Sequence, residues 1–78
     1  MTKQEENKIR YDYALEDVNY VASRGSLAIC QTIKGLVEVE ALEGGQFQAK
    51  NNRNELLTGI MNFDMMVTYV SKLYVFED

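Results

Sequence analysis

The sequence predicts an all-α fold: one domain spanning residues 1–78, a small bundle of two or three helices completed by homo-oligomerisation. Three observations predict it. Proline is absent, and a chain without that breaker favours long helices. Two capping signals, Thr2-Lys3-Gln4-Glu5 and Asn52-Arg53-Asn54-Glu55, each precede an apolar-periodic stretch. Within those stretches apolar residues recur at alternating spacings of four and three, which draws one stripe along a helix.

In the first stretch the Thr2 hydroxyl is placed to accept from the Glu5 amide, and Glu5 and Glu6 fall in the first turn, where the helix dipole favours negative charge. From Tyr11 the spacing runs through Leu15, Val18, Ala22, Gly25, Ile29, Thr32, Leu36 and Val39. This is either one long helix or two, broken at Ser23-Arg24-Gly25-Ser26 with Ser26 capping the second. In both versions the pattern stays helical to about Gly35. Residues 36–50 admit two readings. As a helix, the segment ends on a C-cap at Gly44, followed by a polar loop from Gln46 to Asn51. As a hairpin, Val37, Val39 and Ala41 alternate with Glu38, Glu40 and Leu42, and Glu43-Gly44-Gly45 turns the chain into a second strand at Gln46 to Lys50, giving an α+β fold. The helix is preferred because a lone two-stranded hairpin is marginal and Glu, Ala and Leu favour helix.

The organising stretch is Leu56 to Phe76. Leu56, Ile60, Phe63, Val67, Val70 and Tyr74 form its main stripe, widened by Gly59, Met66 and Leu73. A second stripe on the reverse side carries Met61, Met65, Tyr69 and Phe76. A helix apolar on two sides needs two partners, so the second is expected from another chain.

Size points the same way. A chain of 78 residues buries only about 60% of its unfolded surface and commonly needs a disulfide, a metal or a partner. One cysteine and no histidine leave the partner. The lone cysteine and a charged N-terminus without an export signal fit a reducing, cytoplasmic setting. Asn62, Asp64 and Lys72 interrupt the most apolar run, so no membrane span is expected. A formal net charge of −4, from eight basic and twelve acidic residues, argues against direct nucleic-acid binding.

Reactive constellations are missing. Glu40 and Glu43 would lie one helical turn apart, a spacing used to hold Mg²⁺, yet only Asp64 is offered from the organising helix and no metal is expected. Asp12, Glu16 and Asp17 lie close to Lys8 and Arg10 and read as surface pairs. Cys30, beside Ile29 and Ile33, reads as a small buried hydrophobe. Gly44-Gly45 lacks the lysine and hydroxyl of a phosphate loop. No catalytic residue and no cofactor are therefore assigned.

What is left is interaction chemistry. Tyr13, Asp17 and Tyr20 share one helix face, and tyrosines with an acid between them suit an interface. Glu38, Glu40 and Glu43 form an acidic stretch without an intervening cation. Met61, Met65, Tyr69 and Phe76 form the exposed apolar surface expected of a contact site. The leading expectation is a non-enzymatic acidic module that associates with itself and binds another protein as regulator, adaptor or inhibitor, a type of protein that phages and mobile elements often encode. One alternative is an oligomer holding a nucleotide or other small anion with Arg24, Lys50 or Arg53. A further alternative is a nucleic-acid mimic presenting Glu5, Asp12 and Glu16, although Lys3, Lys8 and Arg10 interleave with those acids.

Overall fold

The structure, a computed structural model, describes residues 2–74. Its elements run α1 (Lys3–Arg24), β1 (Ser26–Thr32), β2 (Gly35–Leu42), β3 (Gln46–Asn51) and α2 (Phe63–Ser71). The three strands form one antiparallel sheet in the order β1-β2-β3. The all-α bundle is therefore overturned in favour of the α+β alternative, and the hairpin at residues 36–50 is present.

Helix α1 begins as the capping signal predicts, with Thr2 accepting from the Glu5 amide at 3.2 Å. It is a single helix that stops at Gly25, whose φ of 101° lies where a side chain would be strained. Ser26 starts a strand instead of capping a second helix. The inward face also differs from the expected seam. Ala14, Val18 and Val21 are buried, while Tyr11 and Ala22 are exposed, so the stripe is turned about Val18. Ala14 has almost no side chain, which lets the helix sit close to what it covers.

The marginality argument against a two-stranded hairpin fails because β1 adds a third strand and the helices cover the sheet. Leu27 and Ile29 stand opposite Val39 and Val37, and Val39 and Ala41 stand opposite Ala49 and Phe47. These residues point to the helices, and Ile29, Val37, Val39, Phe47 and Ala49 are buried with Ala14, Val18, Val21, Met66, Val67, Val70 and Leu73. The alternate residues Ala28, Cys30, Glu38, Glu40, Gln48 and Lys50 face the open side, the in-out alternation of an antiparallel sheet covered on one face. Gly44 and Gly45, both left-handed at φ 75° and 72°, make the β2 to β3 turn.

The organising helix is shorter than predicted, and Asn62 rather than Asn52 is its cap, accepting from the Met65 amide at 2.8 Å. Residues 55–61 form an irregular strap, not a helix, and lie along the outer edge of β3. Phe47 and Met61 exchange two backbone bonds of 2.8 Å, the Leu57 amide donates to the Ala49 carbonyl at 2.8 Å, and the Asn51 amide donates to the Glu55 carbonyl at 2.9 Å. The strap satisfies a row of edge groups that a helix there would leave bare. Leu56 and Ile60, expected on the main stripe, are consequently exposed at 62% and 61%. At the far end of α2 the Ile33 amide donates to the Leu73 carbonyl at 2.9 Å. Phe76 lies outside the described residues.

Candidate protein-interaction surface

Helix α2 directs Met66, Val67 and Val70 into the core, which leaves its other side to solvent. Met61, Asp64, Met65, Thr68, Tyr69 and Lys72 line an open groove there, about 390 Å³ in volume. Met65 is 53% exposed, whereas Met61 and Tyr69 are half-buried and pack against the core. The reverse stripe is thus partly sheltered within one chain. Met61 precedes the helix yet lines the same groove as Met65 and Tyr69. Asp64 sits in the first turn of α2 and Lys72 follows its last, so the groove carries opposite charges at its two ends, each favourable to the helix dipole.

Tyr69 has a second peculiarity. Its hydroxyl is buried and meets no hydrogen-bond partner among the described residues, and burial pushes its pKa upward. The Lys34 ammonium lies 6.0 Å from the ring centroid, within cation–π range. A buried hydroxyl without a partner costs about 1–3 kcal/mol, so Tyr69→Phe should melt at a higher temperature than the natural chain in a thermal scan.

Tyr13, Asp17 and Tyr20 do share one face of α1. Tyr13 and Tyr20 are 52% and 49% exposed, the Tyr13 ring lies 6.1 Å from that of Tyr74, and the Arg24 guanidinium lies 5.9 Å from the Tyr20 ring. Asp17 departs from the expectation of an unperturbed acid. Burial, with a smaller push from Glu16, raises its pKa. Arg10, expected to neutralise these acids, pairs with Glu6 at 2.5 Å. An acid raised in the folded state penalises folding once it is ionised, and that penalty disappears as pH falls through the folded pKa. Asp17→Asn should therefore be more stable than the natural chain at neutral pH. The difference should close as the solution is acidified through the carboxylate range, as read from urea midpoints.

The acidic stretch changes character in the sheet. Glu38 and Glu40 point to its open face and Glu43 is exposed at the turn, so the helical-turn spacing of Glu40 and Glu43 dissolves. A cation does intervene. Lys50 stands opposite Glu38 in the register and reaches Glu40 at 3.3 Å. Gln48 donates to the same Glu40 carboxylate, and with Lys50 holds it below its ordinary pKa. Glu40 contributes stability that is lost as pH falls through that lowered value, the reverse of Asp17.

The three predicted groups thus lie on three separate surfaces. The cations suggested for an anion site do not converge either: Arg24 lies against Tyr20, Lys50 is held by Glu40, and Arg53 is in the loop after β3. Cys30 is exposed rather than buried, because alternation turns Ile29 in and its neighbour out. Among the described residues no cluster of His, Cys, Asp or Glu is arranged to hold a metal, and no helix is long and apolar enough to cross a membrane. Sequence reasoning missed Asp64 and Lys72 as groove residues and the strap at 55–61; only the four-residue spacing of Asp64, Thr68 and Lys72 pointed to the former.

The site and fold define a helix-covered antiparallel sheet with an apolar surface groove. No family model, curated protein or solved structure matches the chain.

Proposed function

We propose that this protein is a non-enzymatic interaction module that associates with a second copy of itself and docks another protein on the outer side of α2, acting as regulator, adaptor or inhibitor. The observation that carries the reading is the groove at Met61, Met65 and Tyr69, where a half-exposed methionine is flanked by an acid and a base. Methionine adapts to the shape of what it meets, and the opposite charges of Asp64 and Lys72 give a docked segment a direction.

Met65→Asp tests it. The new carboxylate falls in the first turn of α2, where the dipole accepts it, so the fold is expected to survive with an unchanged melting temperature. Affinity recovery from the native host should then lose the partner that the natural chain retains. If both chains recover the same proteins in the same amounts, the groove is not the docking site.

A further inference from the structure

The two edges of the sheet are treated differently by the chain. The outer edge of β3 is covered from Phe47 to Asn51 by the strap. On β1, the Ala41 amide donates to the Gly25 carbonyl, and with the register Leu27↔Val39 and Ile29↔Val37 this fixes the alternation of the ladder. Leu27 and Ile29 spend their backbone groups on β2, and Ser26, Ala28 and Cys30 turn theirs outward. Among the described residues, the only backbone pairing on that side of β1 is the bridge from Tyr74 to Thr32 and its Leu73–Ile33 bond.

Edge strands are ordinarily guarded by charge, proline or a bulge. From Ser26 to Ile29 there is none of these: Ser26 and Ala28 carry small uncharged side chains, as does Cys30 just beyond, and the register shift falls between Ile29 and Thr32. We infer that this edge is the self-association surface, with β1 pairing antiparallel to β1 of a second copy about a two-fold axis at Ala28 to give a continuous six-stranded sheet.

Three features favour a second copy as the occupant. The edge is complementary to itself, since a two-fold at Ala28 sets Ser26 opposite the partner's Cys30 and matches each outward N–H with a carbonyl. The meeting strip is uncharged although the chain carries −4. The nearest acid on the open face, Glu38, stands beside Ala28 one strand back, so the two copies of Glu38 would be three strand spacings or about 14 Å apart, beyond a Debye length of about 8 Å. The tyrosine face of α1 also borders this edge. Tyr74 bridges Thr32 on the side away from Gly35, its ring lies tilted against that of Tyr13, and Tyr20 continues the same face. Edge pairing brings the exposed tyrosine faces of the two copies alongside one another.

The inference rests on the self-association part of the proposed function, and the test separates the two. The natural chain is expected to sediment as a dimer. Ser26→Cys, treated with copper(II) phenanthroline as oxidant, should give a disulfide-linked dimer through the partner's Cys30. The natural chain should not, because its two Cys30 thiols would lie four residues out of register, about 13 Å apart. Ala28→Pro removes an N–H that no bond among the described residues uses and is tolerated on an edge. It should raise the dimer dissociation constant about tenfold or more with little change in circular dichroism. A dimer that neither crosslinks through Ser26→Cys nor weakens with Ala28→Pro overturns the β1 interface and leaves self-association standing. A folded monomer at the highest soluble concentration overturns both, and slow amide exchange at Ala28 and Cys30 in that monomer would mean the edge is covered from within the same chain.

Discussion

Phe47→Ala is expected to lower the unfolding free energy by about 3–5 kcal/mol, the largest single effect in the molecule. Phe47 is almost completely buried and its ring meets Phe63 edge-on, 6.0 Å between centroids and 68° between planes, a geometry that adds about 0.5–1.5 kcal/mol to area burial. Its backbone is fastened to Met61 by two hydrogen bonds. The side chain deleted is thus the one under which β3, the strap and the start of α2 converge, and a rigid backbone on both sides limits collapse into the void. A chain of this length has a total stability of about 4–12 kcal/mol at the usual stability per residue. A loss of that size should move the thermal midpoint down by about 12 °C or more. Urea and thermal denaturation followed by circular dichroism would measure both, and a shift of a few degrees would mean the strap repacks over the gap.

Two neighbouring methionines should then behave as opposites. Met66→Ala is expected to cost about 2–5 kcal/mol, because Met66 is fully buried and packs in the cluster with Val67, Val70 and Leu73. Met65→Ala should be close to neutral for stability, since the side chain is half in water and alanine favours helix. Binding should invert the order: truncating Met65 removes a groove contact, whereas Met66 lies behind the groove wall. Paired urea titrations and partner recovery on the two variants would read this. Equal destabilisation by both would mean that α2 is rotated from the orientation described, and the groove would lose its definition with it.

The parts of this fold that could be read from the sequence are those fixed by nearby residues. The start of α1 was legible because a cap is a contact between Thr2 and Glu5. The common face of Tyr13, Asp17 and Tyr20 was legible because helix geometry alone sets it. The hairpin is visible as alternation from Val37 to Ala41, and the helix outweighs it in the sequence because the third strand is hidden there and Glu, Ala and Leu favour helix. In β1 just Leu27 and Ile29 mark the inward side, too few to outweigh a four-three spacing that ran through Ile29 by coincidence. The strap was illegible for a related reason. Leu56, Ile60 and Phe63 are spaced as on a helix, and what makes the strap better is the bare edge of β3, several residues away and supplied only after the sheet exists. For the candidate surface, the spacing of Met61, Met65 and Tyr69 is legible in the sequence, but their partial shelter is not, because it depends on a sheet that an all-α fold lacks.

The nine-residue α2 is anchored at both ends to opposite borders of the sheet, through Met61 to β3 and through Leu73 to the turn after β1. So short a helix has little tendency to form by itself, and with both ends clamped it cannot fray without first releasing the strands. Opening of the groove wall is therefore coupled to global unfolding, and the partner proposed for it would meet a backbone already rigid, with only side chains such as Met65 left to order on arrival.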